Sequence, residues 1–145
     1  MPVTSRTYAM STTTIGAVIL RDDWTCAYCS RRLHEDQVVF DHVIPRVDGG
    51  SSRPYNIVVA CHRCNWWKGD GAIPVHAVGE VHRRLSLPLD REAGRELGDR
   101  LYPWAADYRA REAAKSLARY YARQDRGRGL EGIAFPFGAL AEGAS

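Results

Sequence analysis

The apolar positions of this chain fall into short sets, each with its own period. Ile15, Val18 and Ile19 stand at i, i+3 and i+4. That spacing predicts a short amphipathic helix over 14–21, weakened by Gly16 and by β-branched side chains. Val38-Val39-Phe40 runs into Asp41-His42 and reads as a strand over 38–42. Ile57-Val58-Val59-Ala60 is a continuous apolar run of strand length. Between the two lies a loop, 45–54, in which Asp48-Gly49-Gly50-Ser51-Ser52 is dense in turn formers. A helix is expected from Cys61 to about Lys68, where Gly69 and Gly71 end it.

From Pro74 onward the spacing turns helical. Val78, Val81 and Leu85 precede a stop at Pro88, and Asp90 is a plausible N-cap for a second helix to about Leu101. Pro103 suits the first turn of a third, to about Arg123, with Ala110, Ala113, Leu117 and Tyr121 on one face. Residues 1–13 and 127–145 read as loose arms, although Ile133, Phe135 and Phe137 suggest that part of the second docks. The expected organisation is a core over 14–73, a helical extension over 74–126 and the two arms.

Composition narrows the classes. No stretch of the 145 residues approaches the ~18 uninterrupted apolar residues of a membrane span. The first eleven residues lack the apolar core of a signal peptide, which points to the cytosol of the producing or infected cell. A net charge of +3 permits nucleic-acid binding without demanding it. Arg greatly outnumbers Lys, and Arg suits bidentate phosphate contact.

All four cysteines fall into two Cys-x-x-Cys pairs, Cys26/Cys29 and Cys61/Cys64. In a reducing compartment this spacing reads as metal ligation before disulfides. Two such turns together make a tetrahedral site, and four thiolates leave no open position, so the zinc is expected to be structural. Free buried thiols or a redox pair are the alternatives. The knuckles stand farther apart than in a minimal ribbon of ~15–20 residues. The insertion between them carries Asp41, His42 and Asn56, and Asn65 follows directly. Singly, each has an ordinary explanation: a surface Asp-His pair, a turn asparagine, a helix-start asparagine. Jointly they supply an imidazole and oxygen ligands around a metal-stapled frame, which is what phosphodiester hydrolysis needs.

The series Cys26-x-x-Cys29, Asp41-His42-Val43-Ile44-Pro45, Gly49-Gly50, Asn56, Ala60-Cys61-x-x-Cys64-Asn65-x-x-Lys68 resembles the zinc-knuckle branch of the HNH endonucleases, as does the lead-in Arg21-Asp22-Asp23-Trp24-Thr25-Cys26. The resemblance covers Ile15 to Gly71. It implies an α+β fold with a ββα-metal core, stapled by the four-cysteine zinc; the helical C-terminal extension rests on spacing alone, since residues beyond Pro74 carry no such resemblance. It implies His42 as general base, and Asp41 and Asn65 as ligands of one catalytic divalent cation, Mg²⁺ or Mn²⁺. Asn56 would orient His42. Asn65 stands where many members have His, which makes this an H-N-N variant. The expected products carry 5′-phosphate and 3′-hydroxyl ends.

Adjacent side chains on a strand point to opposite faces, so irregular backbone is expected at His42. Arg63 and Lys68, then Arg46 and Arg53, are candidates for phosphate contact, with a solvated charge as the alternative for each. One ring of Trp66-Trp67 is expected to pack on the core or on the C-terminal helices; stacking of the other on a base is the alternative, with packing favoured. Arg111, Lys115, Arg119 and Arg123 recur every four residues, as a DNA-tracking stripe or a solvated helix face. The expected activity is hydrolysis of DNA, double-stranded, in a bacterial or phage-infected cytoplasm, with a protein partner possible on the C-terminal helices. Its rivals are a non-catalytic zinc module that binds DNA or protein, and a structure-specific or RNA nuclease.

Overall fold

Thr12–Arg21 forms α1, two residues earlier than the apolar spacing predicts, because the Ser11 hydroxyl accepts the Thr14 N–H and caps the threonine run. The computed structural model of the chain describes residues 10–128. Met10 is buried, so packing reaches into the first expected arm. The docking expected of Ile133, Phe135 and Phe137 lies outside the described residues.

Two strands, β1 (Val39–His42) and β2 (Ile57–Ala60), pair antiparallel, with Val39 opposite Ala60 and His42 opposite Ile57. All four positions of β2 are buried, as its unbroken apolar run requires. α1 and α3 (Val78–Ser86) pack on β2, and α2 (His62–Lys68) packs on β1. Each fully buried Val or Ile here contributes roughly 1.5–3 kcal/mol.

The edge of β2 that β1 leaves unpaired is covered by side chains. The Arg21 guanidinium donates to the carbonyls of Ile57 (2.6 Å) and Pro54 (2.9 Å). The Asp22 carboxylate accepts the Val59 N–H at 2.8 Å and holds Arg21 at 2.7 Å. Arg84 of α3 closes the cluster from the other side, 3.4 Å from Asp22 and hydrogen-bonded to Thr25. Asp22 and Arg84 are buried. Unpartnered backbone in this position would cost its full desolvation, and the Arg-Asp lead-in supplies the partners.

α4 (Arg91–Leu101) starts on an Asp90 cap, whose carboxylate accepts the Ala93 N–H. It crosses α1 nearly backbone to backbone. A Cβ at Gly16 would lie 2.0 Å from the Gly94 carbonyl oxygen, and one at Gly98 would lie 2.3 Å from that of Thr12. Gly16, a liability for helix propensity, is thus what admits α4.

α5 runs Pro103–Arg128. Its first turn belongs to the compact unit that extends to Ala106, where Leu101, Tyr102 and Ala105 are buried in the same core as β1, β2 and α1. Residues 74–106 therefore share the core of 14–73, and packing continues across the sequence change at Pro74. From Asp107 the helix forms a second unit. There Tyr120 and Tyr121 meet edge to face at 5.2 Å, and Lys115 pairs with Glu112 at 2.9 Å. The stripe Arg111, Lys115, Arg119, Arg123 and the neighbouring Leu117 are exposed. No helix of the described residues is long and apolar enough to cross a membrane.

Candidate active site and zinc frame

The four cysteine sulfurs come together within 4.8 Å of one another. Zn–S bonds of about 2.3 Å in a tetrahedron place sulfurs ~3.8 Å apart, and Cys29 and Cys61 already stand at 4.0 Å. Both knuckles turn their backbone N–H groups onto sulfur: Tyr28 N–H on Cys26 and Cys64 N–H on Cys61, each at 3.4 Å. Cys26 and Cys61 are buried, while Cys29 is exposed and Cys64 is intermediate. This is the ligand set of a closed structural zinc site. His62 is exposed on α2 and stands outside the cluster.

The first knuckle is tied to the sheet, since Ala27 N–H donates to the Val59 carbonyl at 2.9 Å. The second begins where β2 ends. The zinc frame therefore fixes the β2–α2 corner, and with it the position of Asn65 relative to β1. Asp41, His42 and Asn65 line one open cleft of about 340 Å³, together with Pro45, Arg46 and Asp70.

Asp41 is buried, and its Oδ2 accepts from the Tyr28 hydroxyl and lies 3.1 Å from the Lys68 ammonium. Oδ1 meets Lys68 only at 3.5 Å. Burial pushes the Asp41 carboxyl above the ordinary carboxylate value, while the Tyr28 hydrogen bond and the Lys68 charge oppose the rise. The Tyr28 hydroxyl is pushed up by burial and by the adjacent Asp41 charge, which keeps it a protonated donor.

His42 is half-buried, with Nε2 3.0 Å from the Ser52 Oγ. Burial and the positive charges of Arg46 and Lys68 lower its pKa below 6.5, against the pull of Asp41. The shift favours the neutral imidazole. The ladder stays regular through His42, and Val43 N–H continues it to the Asn56 carbonyl at 2.9 Å. The irregular backbone expected at His42 is not found; the cleft is reached instead because α2 and the loop after β1 wrap around the strand end.

Asn56 is buried, and its amide staples that loop. Oδ1 accepts the Ile44 N–H at 2.8 Å, and Nδ2 donates to the carbonyls of Ile44 (3.1 Å) and Ser51 (2.8 Å). Gly50 is what lets the loop close: a Cβ there would lie 1.7 Å from the Ile44 carbonyl oxygen. The staple sets Ser51, and the next residue is the one that meets His42.

Of the four basic candidates, Arg46 lines the cleft, Arg63 lines a groove beside the knuckles, and Arg53 is exposed on the loop. Lys68 corrects its expected surface role. It is buried, donates to the His42 carbonyl at 2.8 Å and pairs with Asp41, so the lysine serves inside the site. Sequence reasoning missed Tyr28, Ser52 and Asp70. Tyr28 lies inside a knuckle and Ser52 inside a turn-rich run, where composition already explains them. Asp70 follows the helix-ending Gly69 and carried no separate signal.

Residues 26–73 match the family model described as HNH endonuclease. A CRISPR-associated endonuclease Cas9 from Corynebacterium diphtheriae is 35% identical over 90 residues, 61% of this chain and 8% of that protein. The chain thus spans less than two thirds of the length of that curated relative. No solved structure matches the chain.

Proposed function

We propose that this chain is a metal-dependent endonuclease that hydrolyses phosphodiester bonds of DNA. The observation that carries the reading is the convergence of Asp41, His42 and Asn65, from a strand and a helix, on one open cleft. A carboxylate and an amide oxygen are hard donors, and no thiol lines the cleft, which suits Mg²⁺ or Mn²⁺ over a softer ion. Asp41 and Asn65 would hold that cation, which when bound supplies Lewis-acid polarisation of the phosphoryl group and charge for the leaving oxygen.

The chain's own residues do the rest. His42, whose burial favours the neutral imidazole, accepts a proton from the attacking water. Ser52 Oγ, 3.0 Å from Nε2, holds the ring in its orientation. Asn56 acts through the loop, holding Ser51 so that Ser52 meets His42. Lys68 fixes the strand end by its bond to the His42 carbonyl. Arg46, in the cleft wall, is the residue for a phosphate flanking the scissile one.

The test is nicking of supercoiled plasmid in Mg²⁺, Mn²⁺ or EDTA, with wild type and His42→Ala at equal zinc content. We expect metal-dependent nicking that the variant loses by about 10²–10⁴-fold. Zinc-loaded, folded wild type that binds DNA without nicking it would replace this reading with a non-catalytic zinc module.

A further inference from the structure

α2 displays two adjacent indoles to solvent. Trp66 is 78% exposed and Trp67 73%, which corrects the expectation that one ring packs on the core or on the C-terminal helices. They touch each other edge to face, with centroids 5.8 Å apart and planes at 82°. An edge-to-face pair leaves indole faces open, and exposed faces of this size on one short helix mark a contact surface.

Their position says what the contact is. Trp66 follows Asn65 on α2 and precedes Gly69 and Asp70 in the chain, and all three of these residues line the cleft. Trp67 lines a groove of about 810 Å³ together with Arg31 and Arg63. One short helix thus carries both ring faces, the groove-lining Arg63 and the cleft-lining Asn65. The loop that sends Pro45 and Arg46 into the cleft also exposes Ile44 (54%) and Val47 (73%). Cations track phosphates, whereas an indole face gains binding only from a base whose own face is free. In stacked duplex DNA those faces are covered. Apolar side chains beside a cleavage site therefore favour a strand whose bases are unstacked.

We propose that Trp66 and Trp67 form a stacking platform for unpaired bases next to the scissile phosphate. The preferred substrate is then DNA with unstacked bases, such as a single strand, a bubble or a flap, over intact duplex. The proposal rests on the endonuclease reading for its scissile phosphate, but the platform is measurable without cleavage. In EDTA, at concentrations that leave zinc bound, an oligothymidylate of about twelve nucleotides is titrated against the full chain and its indole fluorescence followed. The expected result is quenching, with Trp66→Ala/Trp67→Ala binding the oligonucleotide about tenfold more weakly and duplex of the same length less than about threefold more weakly. Zinc content and thermal midpoint should be unchanged, because both rings are exposed. With Mg²⁺, the ratio of cleavage on a bubble to that on matched duplex should exceed one and fall toward one in the double variant. Unquenched indoles, or a double variant with wild-type affinity for oligothymidylate, overturn the platform and leave these rings to a protein partner. If no substrate is cut while oligothymidylate still quenches, the endonuclease reading fails and the platform stands. If plasmid is nicked while fluorescence and the bubble-to-duplex ratio stay flat, the platform fails alone.

Discussion

Both donors on Asp41 Oδ2 come from distant parts of the chain: Tyr28 from the first zinc knuckle and Lys68 from the end of α2. With Oδ2 engaged by both and Oδ1 touched only at 3.5 Å, the carboxylate is pinned by one oxygen and can offer the other to a cation. On the proposed endonuclease reading, Tyr28 is thus a positioning residue. Tyr28→Phe keeps the ring in its buried place and removes only the hydroxyl. A hydrogen bond to a charged group is worth ~1.5–3 kcal/mol, so nicking should fall about tenfold or more. The Mg²⁺ concentration for half-maximal rate and the Mn²⁺ affinity read by electron paramagnetic resonance should both shift to weaker binding, at unchanged zinc content. A variant with wild-type Mn²⁺ affinity would leave the hydroxyl a packing role. Asp41, His42 and Asn65, which share the cleft, were singled out in the sequence because their types and order suit the chemistry. Tyr28 was not, and Lys68 was read only as a phosphate contact, because a tyrosine in a knuckle and a lysine ending a helix meet Asp41 only once the chain is folded. The two indoles were misjudged for the converse reason: tryptophan favours burial on average, and α2 turns both away from β1.

At the scale of elements, α3 is joined to the core by charge as well as by Val81. Arg84 reaches Asp22 and Thr25, and Glu80 orients it at 2.8 Å while also holding Arg83. The hydrogen bonds from Arg83 and Arg84 lower the Glu80 pKa to about 2, from an ordinary value of 4.5. A depressed carboxylate stabilises the fold fully above its unfolded pKa and loses that contribution as pH falls through the folded one. Glu80 should therefore stabilise above pH 4.5 and fade between 4.5 and about 2. The carboxylate is a third exposed, which limits the effect to at most about 1 kcal/mol. Urea unfolding of wild type and Glu80→Gln should show a small gap at pH 7 that narrows as the pH drops below 4.5. A gap that is the same at every pH would mean that packing, not charge, is what the substitution disturbs. Helix periodicity revealed α3, α4 and α5 but not this linkage, nor the glycine-to-glycine crossing of α1 and α4. Both depend on which helix faces which, and a single-helix pattern is silent on that.

For the whole molecule, the question is how much of the compact unit up to Ala106 depends on the zinc. The knuckles are not peripheral. Cys26 and Cys61 belong to the buried cluster, Ala27 hydrogen-bonds β2, Tyr28 holds Asp41, and the Tyr28 carbonyl accepts His76 at 2.7 Å, ahead of α3. One ion at the knuckles would thus organise contacts to the sheet, to the cleft that Asp41 lines and to the segment leading into α3. Structural zinc sites bind with apparent free energies of ~10–16 kcal/mol, comparable to the 5–15 kcal/mol that holds a typical domain folded. Removal should therefore loosen the unit as a whole, not the knuckles alone. Stripping the metal with a zinc-selective chelator in excess Mg²⁺ should release one zinc per chain. It should also lower the thermal midpoint by at least about 10 °C, since a domain of this size shifts ~4–8 °C per kcal/mol. Nicking should be lost in parallel and return only when zinc, not further Mg²⁺, is added back. A midpoint that stays put after one zinc has left would show that the Arg21–Asp22–Arg84 cluster and the α1–α4 crossing hold the sheet unaided. The four cysteines would then serve to aim Tyr28 and Asn65 and would add nothing to the fold.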